Sequence, residues 1–375
     1  MHYLDNAATT QASADAVLRA VTVMRENYGN PSSLHAMGKA AAQELAAARR
    51  AVADTIGAQP GGIEFVSCGS EANNQVLISA AYVNRHVGRH IITSAVEHPS
   101  VLEPLKRLEA GGAQVTCLKP GPDGAVRVED VAAALRDDTA LVSLMLVNNE
   151  TGAVNPIRAV RELLDERKHP ALLHTDAVQG LFKVPIDVKT LGVDYMSLSG
   201  HKIHAPKGVG ALYIRAGKRL MPLIFGGGQE NGARSGTENL ASIAAFGVAA
   251  KEGLEKFSEN AARAVELRAY LEERISTASF PCEINFRGVP HIASLCLPGC
   301  RSEVVLRILS DRGVFVSAGS ACAKGKRSHV LTACGLAPEK IDCTIRVSFS
   351  DYSEKGDVDA LMQGLGEAYA RFHRK

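Results

Sequence analysis

The chain has 375 residues, of which 46% are apolar and 22% are charged. This composition is typical of a folded globular protein and excludes a disordered or fibrous chain. Its 42 Lys and Arg residues outnumber its 40 Asp and Glu residues by only two, so the chain lacks the surplus cations of a general nucleic-acid binder. At roughly 150 residues per domain, the length predicts one large domain and a smaller one.

The sequence shows neither a membrane span nor an export signal. The longest apolar runs, Leu141–Val147 and Leu240–Ala250, are shorter than the roughly 20 residues that cross a bilayer. The first six residues lack both the basic and the apolar part of a signal peptide. We therefore expect a cytoplasmic protein without membrane contact. The eight cysteines include no Cys-x-x-Cys pair, which predicts reduced thiols and no metal site.

Short β-branched runs alternate with amphipathic helical stretches between about residues 60 and 215. Strands are predicted at Ile63–Val66, His90–Thr93, Ala113–Leu118, Ala140–Val147, Ala171–Thr175, Tyr195–Ser197 and Gly210–Ile214. Helices are predicted between them at Ala72–Val87, Val101–Ala110, Val128–Leu135 and Ala159–Arg167. Because several strands are apolar throughout, we expect an α/β fold with a mostly parallel sheet covered by helices on both faces.

The pattern changes after a glycine-rich segment at residues 225–239. A long helical stretch at Leu240–Thr277 comes next, with an interruption possible within it. The remaining elements indicate a compact α+β unit, and they lie at Ile292–Leu297, Glu303–Asp311, Val314–Val316, Thr344–Ser348 and Lys355–Phe372. We predict a large domain at residues 15–255 and a small domain formed by residues 1–14 and 256–375.

Lys202 follows a predicted strand, in the sequence Ser197-Leu-Ser-Gly-His-Lys202. A single lysine is most often a solvated surface residue, but lysine also forms Schiff bases with carbonyl cofactors such as pyridoxal phosphate. That cofactor also requires an acid beside its ring nitrogen and a set of donors for its phosphate. The sequence offers candidates for both.

Asp176 ends the apolar strand Ala171–Thr175, where parallel sheets place their ligands, although a helix cap or a surface charge would also explain it. Ser70 stands at the expected start of a helix, where backbone N–H groups bind phosphate and where serine is also an ordinary N-cap. Other polar side chains that could contact such a cofactor are His98, Gln179, Ser199 and His201.

In combination, these residues match a known family. The chain resembles the cysteine desulfurases, fold-type-I pyridoxal-phosphate enzymes related to the class V aminotransferases. The matching segments lie at residues 3–10, 29–35, 97–98, 147–152, 174–179, 199–202, 234–237 and 317–322. The last of them, with its Ser-x-Gly-Ser-Ala-Cys pattern, is similar to the long-loop group of the family. The resemblance implies a large domain with a seven-stranded sheet and a smaller α+β domain.

The resemblance also implies a role for each candidate residue. Lys202 is expected to carry the cofactor, Asp176 to pair with its ring nitrogen and His98 to stack on the ring. The other residues expected to bind the cofactor are Gly69, Ser70, Asn149, Gln179, Ser199, His201 and, from the neighbouring subunit of a homodimer, Thr237. Asn149 and Arg346 are expected to hold the substrate, although Arg346 alone would also suit a salt bridge at a strand edge.

Cys322 is the nucleophile that the resemblance implies. Lys324, Lys326 and Arg327 lie nearby and favour its thiolate, although an inert exposed cysteine would be the simpler interpretation of the residue alone. The implied reaction takes sulfur from L-cysteine, releases L-alanine and leaves a persulfide on Cys322. A sulfur-acceptor protein would then take up the sulfur for iron–sulfur cluster assembly or for thiolation of tRNA or a cofactor.

Other functions fit the same residues less well. A selenocysteine lyase or a small-substrate aminotransferase would share the fold, but an aminotransferase has no use for Cys322. A non-catalytic, dimeric sulfur carrier or binding protein is more distant, because it would not need Lys202, Asp176 and His98 together.

Overall fold

The structure, a computed structural model, describes residues 1–318 and 327–372. Its first elements are β1 (His2–Tyr3), α1 (Ala14–Arg25) and α2 (Ala36–Asp54). The Ser13 hydroxyl accepts the backbone N–H of Ala16 and so caps α1. This cap fixes Ser13 as the point where the preceding loop ends and α1 begins.

The large sheet has seven strands among the described residues. They are β2 (Ile63–Val66), β3 (His90–Ser94), β4 (Gln114–Leu118), β5 (Thr139–Ser143), β6 (Leu172–Asp176), β7 (Tyr195–Ser199) and β8 (Gly210–Ile214). Their order across the sheet is β2-β8-β7-β6-β5-β3-β4. β8 runs antiparallel to both of its neighbours, β2 and β7, and all other adjacent pairs of this sheet are parallel. The prediction of a mostly parallel, seven-stranded sheet is confirmed.

Helices cover both faces of this sheet. They are α3 (Gly69–Val83), α4 (Pro99–Ala110), α5 (Val128–Ala134), α6 (Ile157–Glu166), α7 (Val188–Leu191) and α8 (Leu240–Glu255). Ile91 belongs to an apolar cluster with α3 and α4, whereas Ile92 belongs to a second cluster with α2, α6 and α8. Successive side chains of a strand point to opposite faces, so both faces of β3 are buried.

Two predicted elements extend several residues beyond the observed ones. The helix predicted to end at Val87 ends at Val83, and the Asn84 amide after it donates to Ala140 O at 2.8 Å.

The strand predicted to reach Val147 ends at Ser143. Beyond it, the N–H groups of Leu144 and Leu146 still donate to backbone oxygens of β6. The N–H of Met145, between them, donates instead to the carboxylate of Glu97 at 2.9 Å. The segment that leads to Asn149 is therefore attached to β6 on one side and to Glu97 on the other.

The C-terminal part contains a second apolar core. Its elements are α9 (Phe257–Ser276), β9 (Glu283–Ile284), β10 (Ile292–Cys296), α10 (Ser302–Asp311), β11 (Val314–Phe315), α11 (His329–Ala333), α12 (Pro338–Asp342), β12 (Thr344–Ser348) and α13 (Lys355–Phe372). Strand β10 lies between β12 and β9, while β1 pairs in parallel with β11. Leu4 is buried in this second core, so the first residues of the chain pack against its last third.

The predicted helical stretch at Leu240–Thr277 is interrupted at Lys256, which separates α8 from α9. The domain boundaries predicted after residues 14 and 255 stay predictions. None of the described helices combines the length and the apolar character needed to cross a membrane.

Candidate active site

Polar side chains from separate elements meet at the carboxyl edge of the parallel strands. β6 ends at Asp176, β7 ends at Ser199, and Lys202 follows in a short 3-10 turn. β2 leads into α3 at Gly69, and His98 caps the start of α4 after β3. Ligands of open α/β sheets bind outside the carboxyl ends of the strands. The fold thus brings the main predicted residues to the expected edge.

Asp176 is the buried acid of this edge, with 5% of its surface exposed. One carboxylate oxygen accepts the Asn73 amide at 2.7 Å, and the other accepts the N–H of Val178 at 2.9 Å. Burial raises the pKa of Asp176, and the two hydrogen bonds oppose that rise. A cation placed against the carboxylate would stabilise its charged form, so Asp176 suits a protonated ring nitrogen.

A chain of hydrogen bonds joins Asp176 to His98. The Asn73 amide nitrogen that contacts Asp176 also donates to the Ser100 hydroxyl at 2.9 Å. His98 Nδ1 accepts the backbone N–H of Ser100 at 3.1 Å and lies 2.8 Å from the Ser100 hydroxyl. Because a backbone N–H can only donate, a neutral His98 carries its proton on Nε2.

Sequence reasoning missed Asn73 and Ser100. Both lie in segments that the sequence analysis considered, next to Ser70 and His98 respectively. Neither residue carries a local signal of this contact, which depends on how α3 and α4 pack. Asn73 is in the second turn of α3 and Ser100 is in the first turn of α4, so both face the edge where the ligand is expected.

Lys202 is held by the N-terminal segment of the chain. Its Nζ donates to the carbonyl oxygens of Ala7 at 2.7 Å and Ala8 at 2.6 Å. Burial lowers the pKa of Lys202 to about 7, and the positive charges of Lys183 and Arg346 add to the effect. An amine with such a pKa can take up and return a proton near neutral pH.

Gln179 and Ser199 each leave a buried polar atom without a partner among the described residues. The Gln179 amide nitrogen donates to Ala7 O at 2.7 Å, but its Oε1 has no hydrogen bond. The Ser199 hydroxyl is also buried and unpaired. Buried polar atoms without partners are rare in proteins. These two therefore indicate a polar ligand at the edge.

The start of α3 is open to an anion. Cys68 occupies the N-cap position but makes no side-chain cap hydrogen bond, so the first N–H groups of the helix remain available. Gly69 is required there because a Cβ at this position would lie 2.6 Å from Val178 Cγ2. The Ser70 side chain is exposed beside it. This arrangement suits the predicted phosphate of the cofactor.

His201 comes two residues after Ser199 in the sequence and contacts Thr9. Its Nδ1 is 3.1 Å from the Thr9 hydroxyl. Burial lowers the pKa of His201 to about 4, with the charge of Lys202 as the next cause. A neutral imidazole can still donate one hydrogen bond to a phosphate. The open helix start, the unpaired atoms of Gln179 and Ser199 and the buried Asp176 together fit pyridoxal phosphate.

Arg346, on β12, is placed to contact a ligand from the C-terminal part of the chain. Its Nη2 donates to Asp5 at 2.8 Å and its Nη1 donates to Asn149 O at 3.0 Å. Its Nε is buried without a partner among the described residues. The structure therefore shows the salt bridge that Arg346 alone would suggest, and it leaves one donor for a ligand.

Asn149 presents its backbone to Arg346, while its own amide makes no hydrogen bond in the described chain. The turn is held by its neighbour Asn148, whose Oδ1 accepts the N–H of Glu150 at 2.8 Å and of Thr151 at 2.9 Å. The Asn148 amide donates to Val96 O at 2.9 Å. Asn148 thus ties the turn of Asn149 to the segment that leads into His98, and the sequence analysis missed this role.

Thr237 makes none of the contacts predicted for it within one chain. Its side chain is exposed, and its hydroxyl makes no hydrogen bond within the described chain. The segment that carries it is held by Arg49, whose guanidinium donates to both carboxylate oxygens of Glu230 at 2.7 and 2.8 Å. Glu230 and Asn231 adopt positive φ angles of 48° and 53°. A charge-assisted, bidentate contact therefore fixes an unusual backbone conformation near Thr237.

Cys322 lies outside the described residues. The described residues on either side of it, however, contact the site. Before it, Ser317 exchanges two backbone hydrogen bonds with Arg346, at 3.1 and 2.6 Å. After it, the Ser328 hydroxyl donates to Glu150 at 2.6 Å, and this contact is buried.

The next residue makes a second contact of the same kind. His329 Nε2 lies 2.9 Å from the carbonyl oxygen of Glu97, the residue before His98. Both flanks of the segment that holds Cys322 are thus attached to residues that adjoin predicted site residues.

Other cysteines are poorly suited to act as nucleophiles. Burial raises the pKa of the Cys296 thiol to about 11, and it raises those of Cys282 and Cys334 to about 12. It also raises the pKa values of Cys117 and Cys300. The thiolate is the reactive form of cysteine, so these five thiols are largely unreactive at neutral pH.

Comparison with known proteins agrees with this site. The family model for Aminotransferase class-V matches residues 2–361. A cysteine desulfurase of a Nostoc species is 39% identical over 374 residues, which cover 98% of this chain and 93% of the relative.

Solved structures give the same result. A NifS-like protein has a TM-score of 0.92 at 35% identity and covers 98% of this chain and 99% of its own. A protein named SspA, in complex with cysteine, has a TM-score of 0.83 at 34% identity and covers 94% of this chain and 100% of its own. The chain therefore belongs to the class-V aminotransferase family and, within it, to the pyridoxal-phosphate-dependent cysteine desulfurases.

Proposed function

We propose that this enzyme removes sulfur from L-cysteine, releases L-alanine and passes the sulfur through Cys322 to an acceptor protein. The observation that carries the proposal is the arrangement at the carboxyl edge of the sheet. A buried acid, a lysine of lowered pKa, an open helix start and two unpaired buried atoms surround the place where the cofactor would lie. The relatives named cysteine desulfurase supply the reaction.

Each side chain has a task in holding the cofactor. Asp176 would keep the ring nitrogen protonated, and His98 would stack on the ring. Donors for the phosphate would come from Gly69, Ser70, Ser199 and His201, while Gln179 and Asn149 would contact the ring substituents. When bound, pyridoxal phosphate supplies an electron sink that weakens bonds of the attached amino acid.

Lys202 performs the proton transfers. With a pKa of about 7, its amine is partly neutral at physiological pH and can accept the proton from the substrate Cα. The carbonyl oxygens of Ala7 and Ala8 accept its hydrogen bonds and so restrict where Nζ can lie. The N-terminal segment of the chain thereby keeps the base close to the reacting carbon.

Arg346 would bind the substrate carboxylate. Its unpaired Nε gives one donor, and Asp5 now occupies another edge of the guanidinium. A substrate carboxylate would share the guanidinium with Asp5 or displace it, because the fork of Arg346 has two carboxylate-binding edges. Asn149 lies against the same guanidinium and would complete the substrate site.

Cys322 would take the sulfur. Its thiolate attacks the substrate sulfur, an S–S bond forms, and the Cβ–S bond breaks with its electron pair left on carbon. Protonation of that carbon completes L-alanine, and Cys322 holds a persulfide that a thiol of the acceptor removes by exchange. The contacts of Ser317 and Ser328 support this role, since they attach both flanks of the Cys322 segment beside the site.

We also propose that the active enzyme is a homodimer. An open groove of about 1310 Å³ adjoins the site and is lined by Ser70, His98, Tyr82, Met221 and Phe225. Phe225 is 76% exposed and Tyr82 is 51% exposed, which is unusual for large apolar side chains. A second subunit in this groove would cover them and would bring its Thr237 towards the phosphate site.

The sulfur acceptor follows from the chemistry of the persulfide. A persulfide exchanges with thiols, so the acceptor presents a cysteine, as proteins of iron–sulfur cluster assembly and of tRNA or cofactor thiolation do. We propose that this exchange takes place in the cytoplasm, where thiols stay reduced.

The test is incubation of the purified, cofactor-loaded enzyme with L-cysteine. We expect equal amounts of alanine and transferred sulfur, and a mass gain of one sulfur atom on the peptide that contains Cys322. Cys322→Ser should retain the cofactor's visible absorbance and lose the persulfide. Cys334→Ser is the matched control, because burial keeps that thiol protonated.

Three outcomes would contradict the proposal. Sulfide release by Cys322→Ser at the wild-type rate would remove Cys322 from the reaction. Amino-group transfer to a keto acid without sulfur release would indicate an aminotransferase instead, and a preference for selenocysteine would indicate a lyase for that substrate.

A further inference from the structure

A partly open pocket of about 240 Å³ adjoins Lys202, between the large sheet and the C-terminal part of the chain. Its acidic and basic lining residues are Lys183, Lys202, His204, Glu252, Lys256, Glu259, Arg263, His291 and Asp351. Lys183 and Lys202 therefore line the same small space, together with charges from α8 and α9. Like charges in a shared site disfavour each other's charged form.

Lys183 has no counterion. It is half-buried, and its ammonium makes neither a hydrogen bond nor an ion pair with any residue that the structure describes. Asp351, Glu252 and Glu259 line the same pocket without an ion pair to Lys183, and the Asp351 carboxylate lies 3.9 Å from His204 Nε2. His291, also in the lining, is 6% exposed and has a buried Nδ1 without a partner.

A half-buried lysine without an ion pair lowers the stability of the fold. Removing a cation from water is unfavourable unless an anion or several acceptors replace the lost hydration. A methionine or glutamine would fill the same space without that cost. A residue that lowers the stability of an enzyme is often retained because activity depends on it. The residue of the active site that shares this pocket is Lys202.

We propose that Lys183 is a positioning residue whose unpaired charge, in the pocket shared with Lys202, keeps Nζ of Lys202 free of its proton. This inference rests on the proposed function, in which Lys202 is the base. It assigns Lys183 a role through Lys202 and no contact with substrate or cofactor.

The charges around both lysines agree with this role. After burial, Lys183 is the first charge that lowers the pKa of Lys202, ahead of Arg346, while Asp5 and Asp176 act in the opposite direction. His201 also faces Lys202, and its pKa is lowered too. The charge of Lys202 is therefore disfavoured by the cations Lys183 and Arg346, whereas His201 is neutral at pH 7.

Lys183 itself titrates close to the working range. Burial lowers the pKa of Lys183 to about 8, with Asp351 opposing and Arg346 adding to that shift. His291, which also lines the pocket, is neutral because burial lowers its pKa to about 3. Lys183 is thus charged at pH 7, and its effect on Lys202 fades above pH 8.

The experiment compares Lys183→Met and Lys183→Gln with the charge-conserving Lys183→Arg in the cofactor-loaded enzyme. We expect the pH midpoint of the cofactor's visible absorbance, and the acidic limb of the kcat profile, to move upward by about one pH unit in the first two variants. At pH 7 the neutral fraction of Lys202 would then fall about fivefold, and kcat with it. Lys183→Arg should keep both values.

Stability provides an independent measurement. The folded-state pKa of Lys183 lies below its unfolded value, so the wild-type fold gains stability as the pH rises from about 8 to 10.5. Lys183→Met should lack that contribution and should unfold at the same or a higher temperature than wild type at pH 7. A plain packing role predicts a lower unfolding temperature and no shift of the midpoint.

The outcomes separate this inference from the proposed function. An active wild type in which Lys183→Met and Lys183→Gln leave the midpoint unchanged, or in which Lys183→Arg shifts it equally, overturns the inference alone. If the wild type neither absorbs in the visible range nor releases sulfur, the proposed function fails. The pH dependence of Lys202 acylation by acetic anhydride, read by mass spectrometry, then still shows whether Lys183 lowers the proton affinity of Lys202.

Discussion

The two charged ends of the active site are built in opposite ways. At the acidic end, each carboxylate oxygen of Asp176 has a donor within 2.9 Å. At the basic end, Lys202 contacts two backbone carbonyls, and Lys183 beside it has no partner among the described residues. The two donors stabilise the negative charge of Asp176, which the site must keep. The unpaired cation of Lys183 instead disfavours the positive charge of Lys202, which the site must lose.

Replacing Lys202, at the basic end of the site, should have the largest effect on activity. Lys202→Ala removes the amine that holds the cofactor and moves the proton, so alanine formation should fall by at least about a thousandfold. Visible absorbance should fall in parallel. Turnover of cysteine is the measurement. Lys189 is an exposed lysine within α7, and Lys189→Ala is the control that should remain active. Substantial activity in Lys202→Ala would refute its assignment.

Asp176→Asn should break the acidic end and have the next largest effect. Loss of the negative charge should lower kcat by about a hundredfold, because electrostatic stabilisation at the reacting group is lost. Burial raises the pKa of Asp176, so its ionised form costs stability above its unfolded pKa. The asparagine, however, has one oxygen where Asn73 and Val178 each need an acceptor, so one hydrogen bond is lost. The two effects oppose each other, and the cofactor-free variant should stay within about 2 kcal/mol of wild type in free energy of unfolding at pH 7.

Kinetics together with thermal unfolding check this pair of expectations. The exposed Asp187→Asn serves as the matched control for loss of a carboxylate. A variant that loses stability and activity together would point to a structural role for Asp176.

Asn73→Ala sharpens the comparison by removing one of the donors at the acidic end. Asp176 Oδ2 and the Ser100 hydroxyl would each lose a hydrogen bond, which should cost about 1–3 kcal/mol of stability and roughly tenfold in kcat. Denaturant unfolding and steady-state kinetics measure the two effects. Asn74→Ala is the control, since its amide contacts only backbone oxygens. Equal losses in both variants would mean that Asn73 has no special link to Asp176.

Glu97→Gln should have the smallest effect on activity. Burial raises the pKa of Glu97 to about 8, so the carboxyl is already neutral at pH 7. Its Oε1 accepts bonds from Ser94 and Met145, and a glutamine can accept both. We therefore expect kcat to change by less than about twofold.

The pH dependence of the free energy of unfolding is a more sensitive test of whether Glu97 is protonated in the folded protein. The folded-state pKa lies above the unfolded value, so wild type loses stability as the pH rises from about 4.5 to 8, at up to about 1.4 kcal/mol per pH unit. Glu97→Gln should lack this slope. Unfolding curves measured at pH 6 and pH 8 in both proteins check it, and identical slopes would show that Glu97 is ionised in the fold.

Local patterns were sufficient to predict much of the site. Lys202 and Asp176 follow apolar strands, and the carboxyl ends of parallel strands share one edge, so their proximity could be expected. The hydrogen-bond chain through Asn73 and Ser100 could not be expected, since it depends on how α3 and α4 pack side by side. An asparagine in a helix gives no local sign of such a partner.

Long-range contacts explain what was missed. Asp5 and Arg346 are 341 residues apart, and Ser328 and Glu150 are 178 apart, yet each pair forms one contact at the site. No periodicity or spacing indicates which distant residues will meet. Lys183 is a similar case, because nothing in the sequence Leu181-Phe-Lys-Val-Pro185 indicates that its side chain lines the same pocket as Lys202.

The amino-acid sequence by itself determined the α/β class, the sheet of mostly parallel strands and the family, because apolar periodicity and motif order are properties of the chain alone. Only the tertiary structure decided which charges are balanced. Charge balance depends on the distances and burial of side chains from different elements. That is why the partners of Asp176 and Arg346, and the absence of one for Lys183 in the described structure, came from the folded molecule.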